Sequence, residues 1–277
     1  LSECGVPRIL VFDSGVGGLS VAARVHEKLP HASIVYLADN AAFPYGGQPE
    51  SVVIERCCKL IAGALEQYSC DAIVVACNTA STLVLPHLRA MTEVPVVGVV
   101  PAVKPAAAQT LNHRIGILAT PATVCRPYLD ELVREFAVDC QVERVGHPGL
   151  VQWAEDLVRG VPVPQAELDS AVAGLRYIGA DTVVLGCTHY PLLLDSLKQS
   201  LPDVKFWVDS GEAIARRVVW LLAQTGKSIG AIEHESASCT PVTAALFSGS
   251  VPEGVAGFMA GLGLQPRAVT GHWPGTS

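Results

Sequence analysis

The sequence predicts an α/β protein made of two pseudo-symmetric α/β domains, each with a parallel sheet. Three observations carry this. Short apolar runs alternate with segments of helical period along most of the chain, the pattern of a parallel sheet covered by helices. The runs end abruptly in polar residues: Asp13, Cys77, Thr120 and Cys187. One segment, Asp71 to Thr79 (DAIVVACNT), returns 110 residues later as Asp181 to His189 (DTVVLGCTH).

The elements follow in order. RILVF (8–12) is a strand, the glycines at 15, 17 and 18 turn the chain, and a helix starts at Leu19. SIVYL (33–37) is a second strand, ending in Ala38-Asp39-Asn40. Residues 41–49 carry two prolines and two glycines and read as a loop. Residues 50–68 are helical, 72–76 a third strand, 81–91 a helix and 94–100 a fourth strand. The pattern then restarts. RIGIL (114–118) is a strand, 121–136 a helix, 140–145 a strand and 165–178 a helix. Residues 182–186 are a strand, and a helix begins near Pro191, a residue suited to a first turn. Residues 204–208 form a strand, followed by a helix to about Ala223 and a late strand at 242–247. The tail beyond Arg267 and the end from Leu1 to Pro7 read as loose.

Composition narrows the function. The 277 residues are 50% hydrophobic and 16% charged, too apolar for disorder and suited to strands buried on both faces. Nineteen Lys and Arg against 26 Asp and Glu leave a net charge of −7 with no basic patch, so no nucleic-acid partner is expected. No apolar run is long enough to span a bilayer; the uncharged stretch 236–252 is broken by Ser, Thr and Pro. No export signal is read, so the nine cysteines are expected to be free thiols in the cytoplasm. None has zinc-site spacing, and Cys57-Cys58 suits neither a disulfide nor a metal, so no metal is expected. Cys4, Cys57, Cys58, Cys70, Cys125, Cys140 and Cys239 lack a polar strand-end motif and read as structural or incidental.

Cys77 and Cys187 differ because each stands at a strand end and is followed by a polar pair, Asn78-Thr79 or Thr188-His189. The same offset of 110 carries Asp13 to Thr123, within the ATPAT loop after RIGIL. Two related halves, each with one thiol, suggest a specific chemistry. Inverting a carbon centre needs a base on one face and an acid on the other, and a thiolate–thiol pair supplies both, exchanging states at each turnover. Helix N-termini at the strand ends favour a thiolate and a bound carboxylate. Asp13, Glu155 and His189 are candidate proton-handling groups. The plainer readings are a turn cap for Asp13, a solvated helix face for Glu155 and a structural histidine for His189. GVGG lacks the spacing of a dinucleotide fingerprint, no phosphate-binding GxxxxGK[ST] occurs, and no lysine sits in a pyridoxal context, so no cofactor is expected.

These residues resemble the glutamate racemases of the cofactor-independent aspartate/glutamate racemase superfamily. The segments that carry the resemblance are VFDSGVGGLSV (11–21), YLADNAAFPYG (36–46), VVACNTAST (74–82), IGILATPAT (115–123), VLGCTHYPLL (184–193) and VDSGEAIARRV (208–218). The resemblance implies interconversion of L- and D-glutamate without cofactor, supplying D-glutamate for peptidoglycan. It implies that Cys77 works on the D-enantiomer and Cys187 on the L-enantiomer. It makes Asp13 the helper of the first thiol, and Glu155 and His189 the helpers of the second. Asp13-Ser14, Tyr45-Gly46, Asn78-Thr79 and Thr188-His189 fall on the substrate-binding pairs, and Thr120 and Thr123 on threonines lining the site. It implies a first domain of 1–98 plus 209–277 and a second of 99–208, with the active site in the cleft between them. A homodimer is one arrangement found in such a family. Residues 146–160 and 225–277 match loosely, so Glu155 is the least anchored assignment. The competing readings are an aspartate racemase of the same superfamily, a non-catalytic amino-acid-binding or interaction protein, and a redox dithiol. The last needs the two sulfurs within disulfide distance.

Overall fold

The computed structural model describes residues 6–224 and 240–274. It divides into two compact units, Leu1–Val99 with Gly211–Ser277, and Val100–Ser210.

The first unit holds a six-stranded, all-parallel sheet. Its strands are β1 (Arg8–Asp13), β2 (Ser33–Ala38), β3 (Ala72–Val75), β4 (Val96–Val97), β9 (Val242–Phe247) and β10 (Val269–Thr270), in the order β10-β9-β2-β1-β3-β4. β1 and β2 are buried almost throughout, which is why they read as continuous apolar runs. Helices α1 (Leu19–Lys28), α2 (Glu50–Gln67), α3 (Asn78–Met91), α11 (Gly211–Gln224) and α12 (Val255–Gly261) belong to this unit. α1 packs on α11, and α2 on α3.

The second unit holds a four-stranded parallel sheet, β6-β5-β7-β8, of β5 (Arg114–Ala119), β6 (Gln141–Gly146), β7 (Thr182–Leu185) and β8 (Phe206–Val208). Its helices are α4 (Val103–Gln109), α5 (Pro121–Val124), α6 (Pro127–Phe136), α7 (Gly149–Val158), α8 (Gln165–Ala171), α9 (Ala173–Tyr177) and α10 (Leu194–Ser200). Its order repeats the β2-β1-β3-β4 core of the first sheet strand for strand. The matching Asp residues act alike: Asp71 N–H donates to Arg8 O at 2.7 Å, and Asp181 N–H to Arg114 O at 3.2 Å.

Several sequence expectations change. The strand at 94–100 contracts to Val96–Val97, an edge strand entered through Pro95, which cannot donate to a ladder. The helix at 121–136 breaks into α5 and α6 because the residue before Pro127 is steered out of the helical region; Arg126 has φ −82°, ψ 134°. The helix at 165–178 is interrupted at Val172. The helix at 81–91 starts three residues earlier, directly after Cys77. As far as Pro274 the tail beyond Arg267 is not loose: β10 joins β9, and Trp273 is buried with its indole N–H on Gln67 Oε1 at 3.1 Å. The expected loose start falls mostly outside the described residues, as do Cys4, Cys239 and part of the stretch 236–252.

The ladders also correct the repeat. Phe12 lies opposite Val75, and Leu118 opposite Leu185; Ala76 N–H donates to Phe12 O at 2.8 Å as Gly186 N–H does to Leu118 O at 2.7 Å. So Phe12 corresponds to Leu118, Asp13 to Ala119 and Ser14 to Thr120; the counterpart of Asp13 is not Thr123. The cause is a link from first to third strand four residues longer in the second unit: Asp13 to Ala72 is 72 − 13 = 59, and Ala119 to Thr182 is 182 − 119 = 63.

Candidate active site

In the first unit, Asp13 ends β1 and is fully buried. Its Oδ1 accepts from Gly15 N–H at 3.0 Å and from Ser14 Oγ at 3.3 Å, so the turn it makes also fixes its carboxylate. Gly18 is required by packing: a Cβ there would lie 2.6 Å from the Cβ of Asp13. Ser14 Oγ stands 3.6 Å from Cys77 Sγ. Cys77 follows β3 and caps α3 in extended backbone (φ −64°, ψ 122°), with its sulfur at the helix N-terminus where negative charge is favoured. Asn78 and Thr79 open that helix. Asn78 Oδ1 is buried with no hydrogen-bond partner among the described residues, the kind of orphan that calls for a ligand or water.

Tyr45 and Gly46 lie in a short 3-10 turn, Tyr45–Gly47, within the loop after β2, and this turn packs against α3. Gly46 is exposed, whereas Tyr45 is 2% exposed and donates its hydroxyl to Asp39 Oδ2 at 2.6 Å. Burial, with Cys57 and Asp39 beside it, drives the Tyr45 phenol far above its usual pKa. The Tyr45 side chain is therefore committed to its own unit.

In the second unit, Cys187 follows β7 and is buried. Its sulfur is 3.7 Å from His189 Nδ1, and His189 Nε2 is 2.8 Å from Glu155 Oε1. His189 and Glu155 are 2% and 5% exposed, so this chain of contacts is buried. Glu155 comes from the buried side of α7, which packs against the 3-10 turn Tyr190–Leu193 after His189. Burial alone opposes a charge on His189, but its bonds to Cys187 and Glu155 outweigh that and hold its pKa well above the ordinary imidazole value. The expected solvated face for Glu155 does not occur. Thr120 and Thr123 meet hydroxyl to hydroxyl at 2.8 Å, and Thr120 caps α5 by accepting from Thr123 N–H at 3.2 Å. Thr188, next to Cys187 in the chain, is also buried.

None of the other described cysteines stands just past a strand beside a buried polar chain of this kind; Cys140 Sγ lies 4.0 Å from His113 Nδ1, but that contact is exposed. Burial raises the thiol of Cys57, and that of Cys70 to about 12, so neither is a ready nucleophile. Cys125 is exposed. No described helix is long and apolar enough to cross a membrane. Among the described residues, no group of three His, Cys, Asp or Glu has a metal-holding arrangement.

Sequence reading did not single out Asp39, Arg56 or Ser248, which form a network around Tyr45 centred on the buried Asp39 carboxylate, with Arg56 and Ser248 only half-buried. Arg56 pairs with both Asp39 oxygens, at 2.7 and 2.6 Å, and Ser248 Oγ donates to Asp39 Oδ1 at 2.5 Å. Burial works against the Asp39 charge, yet Arg56, Ser248 and Tyr45 together hold its pKa below the usual carboxylate value. Its one sequence signal was the polar strand end Ala38-Asp39-Asn40.

The sequence profile of the Asp/Glu/hydantoin racemases matches residues 19–218. Glutamate racemase from Proteus mirabilis is 49% identical over 236 residues, 84% of this chain and 82% of that protein. Among solved structures, Escherichia coli glutamate racemase, in complex with L-glutamate and the activator UDP-MurNAc-Ala, is 42% identical with a TM-score of 0.85, covering 96% of this chain and 98% of that one. The glutamate racemase isoform RacE1 from Bacillus anthracis is 30% identical with a TM-score of 0.76, covering 96% and 97%. The chain belongs to the Asp/Glu/hydantoin racemase family and, within it, to the glutamate racemases.

Proposed function

We propose that the chain interconverts L- and D-glutamate without a cofactor, by a two-thiol mechanism, and so supplies D-glutamate for peptidoglycan. The observation that carries the mechanism is the equivalence of β3 and β7. Two sheets of matching strand order each present one buried cysteine just past the same strand.

In the D-to-L direction Cys77 enters as thiolate and takes the α-proton. The C–H electron pair stays on the substrate as a carbanion. Cys187, entering as thiol, delivers its proton to the opposite face, and the two sulfurs finish in exchanged states. The reverse direction runs through the same steps backwards. His189, held between Cys187 and Glu155, balances charge on the second sulfur and moves its proton. Asp13 serves the first sulfur, with Ser14 between them. Asn78, with its buried oxygen, and Thr79, Thr188, Thr120, Thr123 and the Tyr45-Gly46 backbone hold the polar groups of the substrate. Each unit thus supplies one thiol, and the reaction requires both to reach one α-carbon. Free buried thiols suit a reducing compartment, and the reading places the enzyme in the cytoplasm.

Proton NMR in deuterated water, with L-glutamate and L-aspartate offered separately and no cofactor added, tests the substrate. The glutamate α-proton signal should vanish as D-glutamate accumulates. Exchange on aspartate alone would move the activity to aspartate, and exchange on neither would make this an amino-acid-binding protein.

A further inference from the structure

The C-terminal segment after β9 is knitted onto the end of β2. Ser248 Oγ donates to Asp39 Oδ1 at 2.5 Å and accepts from Ala41 N–H at 3.0 Å. Asn40 Oδ1 accepts from Gly249 N–H at 2.8 Å, and its Nδ2 donates to Ser250 O at 2.7 Å. Asp39 is fully buried, and a buried carboxylate is tolerable only when its lone pairs are met. Its donors come from three places: Tyr45 in the following turn, Arg56 on α2 and Ser248 after β9. The same turn, Tyr45–Gly47, packs against α3, the helix that Cys77 opens, and the Tyr45 ring lies 6.4 Å from that of Phe12, which precedes Asp13.

We infer that Ser248 is a positioning residue for the Cys77 half of the site: through Asp39 it fixes the Tyr45–Gly47 turn against the start of α3. Strand β9 and its exit thus hold a catalytic loop from more than 200 residues away in sequence. The inference rests on the racemase reading and deepens it. Removing the Ser248 hydroxyl releases the exposed Ala41 N–H to water and leaves one lone pair of the buried Asp39 unmet, so the loop loses an anchor while the sheet keeps its strands.

The test compares the unmodified protein with Ser248→Ala, Ser248→Thr and Gln67→Ala. The last removes the Trp273 anchor elsewhere on the C-terminal segment and leaves Asp39 untouched. Ser248→Ala should raise the KM for glutamate about tenfold with kcat changed less than about threefold, and should speed amide hydrogen exchange in residues 40–47. Ser248→Thr should restore both, and Gln67→Ala should lower the melting temperature with KM unchanged. An unchanged KM and unchanged exchange at 40–47 in folded Ser248→Ala would overturn the inference. So would an equal rise in KM in Gln67→Ala, which would make the effect one of general stability. A failure of the racemase reading shows separately, as an inactive unmodified protein.

Discussion

The two thiols stand on the same scaffold in different company. Cys77 has a hydroxyl neighbour, Ser14, backed by the Asp13 carboxylate, and the N-terminus of a 14-residue helix behind it. Cys187 has an imidazole neighbour, His189, backed by Glu155, and behind it a four-residue 3-10 turn that runs directly into the seven-residue α10. The duplicated part is the geometry that delivers a sulfur to a strand end. The parts that differ are the groups beside each sulfur, to which the proposed mechanism assigns the handling of protons. Beside Cys77 stand a neutral hydroxyl and the helix that starts at the next residue; beside Cys187 stands an ionisable imidazole–carboxylate pair, and helical structure starts only three residues on. Fold symmetry and chemical asymmetry therefore coexist, as a reaction with mirror-image substrates but unlike proton paths requires.

Glu155→Gln should break this comparison most sharply. Losing the buried partner of His189 should lower kcat by about 10²-fold, the usual scale for disabling a positioned acid–base group. The two enantiomers have equal free energy, so kcat/KM must stay identical in the two directions, and any asymmetry will appear in kcat and KM separately. The pH dependence has a definite sign. The His189 pKa is raised in the folded protein, so its ion pair with Glu155 contributes fully below the ordinary imidazole value of 6.5 and fades as the pH climbs through the raised folded value. The melting-temperature gap between the unmodified protein and Glu155→Gln should accordingly be widest at mildly acidic pH and close as the pH rises. Ser14→Ala should cost less, about three- to tenfold in kcat measured with D-glutamate. A loss as large as that of Glu155→Gln would mean that the serine carries the proton and not merely a hydrogen bond.

Much of the fold was legible because buried parallel strands write themselves as apolar runs. β1, β2, β7 and β9 fall where those runs lie. Short elements with little apolar periodicity were not legible. α4 (VKPAAAQ) is rich in alanine and α12 (VAGFMAG) carries glycine, so neither shows a strong stripe. The two thiols were visible because polar pairs follow them at strand ends. Glu155 was legible as a candidate carboxylate but not as the partner of His189, since the two meet across 34 positions with nothing local to mark the pairing. The Asp39–Ser248 contact spans 209 positions and joins the two chain segments of the first unit, a pairing that the β2–β9 ladder brings about.

The most direct test of the central claim, that two equivalent strand-end thiols serve opposite faces of one carbon, is α-proton exchange in deuterated water with each pure enantiomer and the variants Cys77→Ala and Cys187→Ala. The account predicts that neither variant inverts glutamate. Residual exchange should be confined to one enantiomer in each: L-glutamate when Cys187 alone remains and D-glutamate when Cys77 alone remains. Inversion persisting without either thiol, or both variants exchanging the same enantiomer, would contradict it.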